Sequence, residues 1–319
     1  MILLAIVITL LLEQVWPVAP RNPVMLALLR WARTVARNMD TGAGNHAWLA
    51  WAVAVGLPAL GVGAVHALLN GLGGWPLTTL WTIAVLYCTL GFRQFSHHFV
   101  AIRDALELGD DERARQLLAQ WLQVDASAVA RSDVVRLALE VSVLAAHRHV
   151  FGVMLWFCLL QVLGLGPAGA LLYRQAEALS RAWRRDAAAP ERGVSTALAR
   201  AAQGAWRWID WLPARATALA LAIVGSFEDA IDAWRRHAGQ FANANDGVIL
   251  AAASGAVGVC LGSVSVRAPG PLAIDGPADA LPGEVPSVAH FARVVGLVWR
   301  MVALWLLLLA LLTVAHVLG

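Results

Sequence analysis

Two histidines flank an arginine in "SVLAAHRHVFG" (residues 142–152), where a polar segment meets a long apolar run. His147 and His149 offer imidazole nitrogens, and Arg148 offers a fixed guanidinium suited to phosphate or carboxylate. A separation of two residues turns about 200° on a helix, so the two imidazoles cannot reach one metal ion from one helical face. In an extended turn they could, with His97 and His98 completing a set if the two segments pack. The carboxylates and cysteines that usually accompany such a site are not nearby. A plainer expectation is a polar cap on a membrane helix, anchored at the surface. A third is an anion site, with Arg148, Arg93, Arg174 and Arg215 around a phosphate or a carboxylate.

Two further places hold polar residues at helix starts. Asp210 and Arg215 frame "DWLPAR", which reads as an acid before a proline-initiated helix, with Arg215 stretching to the interface. Asn243, Asn245 and Asp246 stand at another start, where free N–H groups hold a phosphate or are simply capped. Arg103 with Asp104 and Glu107, and Arg136 with Glu140, are spaced as intrahelical ion pairs on solvated helices. Cys88, Cys158 and Cys260 each lie in an apolar stretch without CxxC spacing and read as small buried apolar side chains.

Composition limits which elements can position these residues. The chain has 319 residues, 59% hydrophobic and 14% charged, against roughly 25% charged in soluble domains. With apolar runs long enough to cross a bilayer, this predicts an all-α, polytopic integral membrane protein with a helical cytoplasmic layer. All 24 basic residues are arginine, which excludes a P-loop lysine or a lysine Schiff base. A net charge of +3 without a dense basic run gives no footprint for nucleic acid.

One membrane-embedded domain is expected over residues 1–319, with spans near 2–16, 46–69, 75–92, 150–172 and 301–319. The N-terminus lacks a basic region and a small-residue cleavage signal, so a removed signal peptide is not expected. Leu26, Leu29, Ala32 and Val35 give residues 25–38 an apolar side opposite Arg30, Arg33 and Arg37, suited to lying along the membrane surface. "NGLGGW" (70–75) makes the turn of a hairpin, and the proline-punctuated 17–24 and Pro/Gly-rich 267–286 are loops. Residues 93–148 and 174–246 read as solvated cytoplasmic helices. Seven arginines in 93–148 and eight in 174–215 belong on one face by the positive-inside rule. That argues for an even number of crossings, or none, over 150–172, where "GLGPAG" interrupts the helix. Residues 212–227 are barely long enough to span, and 247–266 carry Gly255, Gly258 and Gly262 at a spacing suited to close helix packing.

Three stretches together resemble a known family: "IDWLPARATALALAIVG" (209–225), "NANDGVILAAASGAVGVCLG" (243–262), and a short apolar segment followed by "RNPV" (21–24). In order and spacing they are similar to the cobinamide-phosphate synthases of cobalamin biosynthesis, the CobD/CbiB family, and the resemblance covers nearly the whole chain. It implies a bacterial inner-membrane location with the polar helices facing the cytoplasm. It also implies ATP, with Mg²⁺ on its phosphates, and the coupling of aminopropanol or its phosphate to adenosylcobyric acid. The partners expected are the lipid bilayer and a corrinoid ligand, with a homo-oligomer left open. The family's substrate further suggests that a neutral imidazole such as His147 could ligate cobalt axially.

The chain departs from the family pattern where acids are expected. The Gly-Asp-Pro region reads "EQVWPVAP" here. At the Glu-Asn-Thr-x-Asp-Gly motif, His147 stands for the glutamate, Arg148 for the asparagine, His149 for the threonine and Phe151 for the aspartate, with Gly152 kept. After Asn245-Asp246-Gly247, Leu250 is nearest to a further acid. Loss of these carboxylates removes the expected Mg²⁺ ligands. The AmpE-type membrane proteins of the same superfamily, linked to cell-wall signalling, also lack the acidic motif and share the "DWLPAR" stretch (210–215). The sequence leaves both the ligase and the sensor class open. The binding residues expected are His147, Arg148, His149, Asp210, Arg215, Asn243, Asn245 and Asp246.

Overall fold

A computed structural model describes residues 2–16, 22–123, 125–262 and 283–318, without the side chains of 92–96, 190 and 316–318. The turn at 17–21 and residues 267–282 of the expected loop lie outside the described residues. Among the described residues thirteen α-helices follow one another: α1 (Ile2–Val15), α2 (Pro23–Met39), α3 (Gly44–Thr89), α4 (Phe92–Glu107), α5 (Asp111–Leu122), α6 (Arg131–Ala146), α7 (Gly152–Val162), α8 (Ala168–Ala187), α9 (Thr196–Ile209), α10 (Trp211–Val224), α11 (Phe227–His237), α12 (Ala244–Val257) and α13 (Ala289–Leu318). A π-helical turn, His147–Phe151, joins α6 to α7. The described residues form no strand, only a single bridge between Val259 and Glu284. Helices over Gly44–Thr89, Arg131–Val162 and Ala289–Ala315 are long and apolar enough to cross a bilayer. The protein is an all-α membrane protein.

The chain divides into two compact units, each drawn from two separate stretches: Met1–Gln94 with Arg148–Pro213, and Phe95–His147 with Ala214–Gly319.

In the first unit, α3 carries 46 residues but is not straight. Gly74 leaves the helical region at φ 64°, ψ −152°, a conformation open to glycine alone. Trp81 Nε1 donates to the Val62 carbonyl at 3.3 Å. Nineteen residues of straight helix would put these about 28 Å apart, so the two arms fold back on each other around "NGLGGW". Helices α1 and α2 pack against α3, and α8 packs between α3, α7 and α9. The apolar side of α2 is only partly covered by the protein: Ala32, Val35 and Ala36 are buried and the helix contacts α3 and α8. Leu26 stays 38% exposed and Leu29 half-buried, so the N-terminal half of the stripe is left open.

Residues 150–172 are not one continuous span. Helix α7 stops at Val162, Gly164 and Gly166 turn at positive φ (77° and 58°), and α8 starts at Ala168. A Cβ on Gly152 would strike the Tyr173 ring, and one on Gly169 would strike the Trp156 carbonyl. As one number rises the other falls, so α7 and α8 run antiparallel at backbone contact. Helical continuity extends in the other direction, back to Arg131.

In the second unit, α11 packs along α12, and α12 packs on α6 and α13. The solvated helix expected up to residue 148 is buried along most of α6, at every position from 134 to 144. Arg136 and Glu140 are 5% and 2% exposed, with Nε and Oε1 3.7 Å apart. They are a core pair, whereas Arg103 with Asp104 and Glu107 is the exposed pair expected. Gly255 makes a close approach, against the Asp229 backbone, whereas a Cβ on Gly258 would have no neighbour within 4 Å. Gly258 ends α12 at φ 72° and Gly262 lies beyond it at φ 91°. Among the described residues, the helix of this stretch ends at Val257; residues 263–266 lie outside them.

Candidate functional site

The first unit buries a charged cluster along one face of α8. Tyr173, Glu177 and Arg181 recur every four residues, and Arg174 lies three before Glu177, so their side chains meet. Glu177 Oε2 accepts from Arg174 Nη1 at 3.2 Å and from Arg181 Nη2 at 2.8 Å. Its Oε1 lies 2.7 Å from Arg181 Nε, an ion-pair contact without hydrogen-bond alignment. The Glu177 side chain is 2% exposed and Arg174 11%, while Arg181 at 37% leads outward. Burial would raise the Glu177 pKa, but Arg181, Arg174 and Arg148 outweigh it and hold the carboxyl below its ordinary value.

Helix α9 ends at Asp210, fully buried, and the Tyr173 hydroxyl donates to its Oδ1 at 2.8 Å. Burial, then the Asp210 carboxylate, push the Tyr173 pKa well above the ordinary range, so the phenol stays a proton donor. Asp210 caps the end of α9 and directly precedes α10, which carries Pro213 in its first turn, as expected from the sequence; its burial is what the spacing did not reveal. Arg148 enters from the π-helical turn, 8% exposed, within electrostatic reach of Tyr173, Arg174 and Glu177. His149 lies within reach of Arg174, Arg181 and Arg148, and its Nδ1 has no hydrogen-bond partner. Arg174 Nε is likewise buried without an acceptor.

The expected site residues divide between the units. Arg148, His149 and Asp210 join this cluster. His147, the last residue of its stretch, belongs to the second unit, fully buried, with Nδ1 2.8 Å from Thr217 Oγ1. It is a core residue, neither a surface cap nor an exposed imidazole. Phe151 is 1% exposed. In the second unit Arg215, half-buried, donates through Nη1 to Asn245 Oδ1 at 3.3 Å. Asn243 caps α12 by accepting from the Asn245 N–H at 3.1 Å and donates through Nδ2 to Asp246 at 2.8 Å, with Asn245 itself buried. Plain capping accounts for this group. Of the four arginines expected around an anion, Arg148 and Arg174 come together, Arg215 goes to the second unit, and the Arg93 side chain lies outside the described residues. Tyr173, Glu177 and Arg181 were missed, although "YRQAEALSR" (173–181) carries the four-residue spacing.

The donor set suits an anion and does not fit a divalent cation. Both carboxylates are already engaged, Glu177 by arginines and Asp210 by tyrosine. Among the described residues no three His, Cys, Asp or Glu side chains group as a metal ion requires. His98 stacks on Trp121 at 5.6 Å, and His97 is exposed.

The CobD/Cbib protein family model matches residues 2–298. The chain is 29% identical over 316 residues to Cobalamin biosynthesis protein CobD of Stutzerimonas stutzeri (strain A1501), covering 97% of each chain. It is 31% identical over 223 residues to the protein of that name from Chromobacterium violaceum, covering 70% of this chain and 67% of the relative. To that of Mycobacterium tuberculosis it is 31% identical over 229 residues, 67% of each. No solved structure matches the chain.

Proposed function

The chain belongs to the CobD/CbiB family, and we propose that it serves cobalamin biosynthesis in the bacterial inner membrane by holding an anionic group of a corrinoid in the α8 cluster. One observation carries this. Three guanidiniums, Arg148, Arg174 and Arg181, stand with two carboxylates, Glu177 and Asp210, a formal excess of one positive charge, and Arg181, 37% exposed, leads from the buried cluster to the surface. A carboxylate or phosphate bound on that side balances the charge through charge-assisted hydrogen bonds. Arg174 Nε and His149 Nδ1 are among the buried atoms of the cluster without a hydrogen-bond partner, and Arg181 marks the exposed side. The polar helices are assigned to the cytoplasmic face on their arginine content.

Binding, not amide formation, is what this assigns. The places where family resemblance implies Glu and Asp hold His147 and Phe151, both inside the core. ATP and Mg²⁺ chemistry therefore finds no carboxylate ligand set at these positions. Cobalt ligation by His147 is disfavoured by its burial and its Thr217 contact.

The test is a visible-absorbance titration of adenosylcobyric acid into the detergent-purified full chain. A saturable change is expected, weakened tenfold or more by Arg174→Gln and by the milder Arg181→Gln, and unaffected by Arg236→Gln at the surface. A flat titration of the folded wild-type protein overturns corrinoid binding and leaves the AmpE-like sensor as the surviving role.

A further inference from the structure

A second cationic feature of the first unit lies outside the α8 cluster. A half-open cavity of about 700 Å³ is lined by Arg30, Arg33 and Arg37 of α2, by Trp183 and Asp186 near the end of α8, and by Arg192 beyond it. The volume falls within the range of small-molecule sites. Residues 30, 33 and 37 are spaced three and four apart, one stripe on one face, spanning about 10 Å along the axis. The opposite face of α2 is partly buried, at Ala32 and Val35, which fixes the direction of this stripe.

The charges of the cavity are poorly compensated. Arg192 Nη1 donates to Asp186 Oδ1 at 2.9 Å, consuming the only acid among the lining residues. Arg37 Nη2 meets only the Thr34 hydroxyl, at 3.4 Å. Among the described residues, the side chains of Arg30 and Arg33 have no hydrogen bond and no ion pair. Asp40, just past the end of the same helix, is not among the lining residues, and its carboxylate is engaged by the Ser195 backbone N–H at 2.7 Å and hydroxyl at 2.6 Å and by the Gly42 N–H at 3.1 Å. Four guanidiniums and one carboxylate leave an excess of three positive charges. A monocarboxylate would neutralise one of them; a phosphate-bearing polyanion neutralises most, and guanidinium forks match its oxygens. Trp183, 1% exposed, supplies a rigid apolar wall.

We propose that this cavity binds the phosphate groups of a polyanionic ligand, with Arg30, Arg33 and Arg37 as the contacting side chains and Arg192, steered by Asp186, as the fourth. The phosphate belongs either to a soluble molecule or to an anionic lipid headgroup; the chemistry of contact is the same. The assignment is independent of corrinoid binding, because none of its residues lies in the α8 cluster.

Calorimetric titration of the detergent-purified full chain with pyrophosphate tests it. Saturable binding is expected, weakened at least tenfold in the Arg33→Gln/Arg37→Gln double variant and unchanged in Arg236→Gln. The substituted side chains are exposed, and an unaltered circular dichroism spectrum verifies that the double variant is folded. Repeating the titration in bilayer discs containing phosphatidylglycerol distinguishes the sources: loss of pyrophosphate binding assigns the cavity to a lipid headgroup, and retention assigns it to a soluble ligand. Absence of saturable binding in detergent, or equal weakening by Arg236→Gln, overturns the proposal.

Discussion

At the scale of single residues, the α8 cluster is a set of obligations. Tyr173 exists as a neutral donor because burial and Asp210 raise its pKa, and Asp210 has no exposed surface on which water could replace it. Tyr173→Phe removes that donor from a buried carboxylate, and losing one hydrogen bond to a charged group costs about 1.5–3 kcal/mol. Thermal unfolding in detergent should show the loss; an unchanged midpoint would mean Asp210 does not depend on this bond. Glu177 gives a pH signature. Its folded pKa lies below the ordinary value of 4.5, so its contribution is fully present above that value. It disappears only as pH falls through the lower, folded pKa. Melting midpoints should therefore carry a fall in acid below the ordinary glutamate range that Glu177→Gln abolishes. A Glu177-dependent loss centred near neutrality would contradict the arginine-held carboxylate.

At the scale of elements, the α7–α8 pair decides what α8 can present. Two glycines permit its close approach, Gly152 under the Tyr173 ring and Gly169 against the Trp156 carbonyl. A methyl group at Gly169 meets backbone, which cannot swing aside, and overpacking of this kind costs about 1–3 kcal/mol. At Gly56 in α3 an added methyl group would have no neighbour within 4 Å, so Gly56→Ala is expected to be neutral or to stabilise by up to about 1 kcal/mol. Comparing the two melting curves checks the pair: equal effects would show that α7 and α8 are not locked at Gly169. The spacing of Tyr173, Glu177 and Arg181 was legible in the sequence. Their burial was not, since a charged, four-residue-spaced helix reads equally as a solvated face.

At the scale of the whole molecule, composition and apolar run length identify a helical membrane protein, and family membership extends over residues 2–298. The proposed cytoplasmic orientation, which rests on arginine content, can be read from polar positions outside the bilayer-length helices, such as Glu107 and Glu191. Single cysteines at Glu107 and Glu191, in a background without Cys88, Cys158 and Cys260, should react with an impermeant maleimide only in inverted vesicles. Labelling of either from the external face of intact cells would sink that orientation.

What the sequence by itself determined is what local chemistry dictates: helices from apolar runs, a reversal at "NGLGGW" because Gly74 can take φ 64°, an N-cap at Asn243, and absent acids where the family resemblance implies them. Tertiary structure alone decided which charges are buried and with whom. His147 and His149 are two residues apart and fall in different compact units. Arg136 and Glu140 have the same spacing type as the exposed Arg103 and Glu107, yet lie in the core. Arg148 and Arg174 meet across 26 positions of sequence only because α7 and α8 double back. Spacing along a chain fixes which side chains share a face, but burial depends on what packs against that face, and that is contributed by residues far away in sequence.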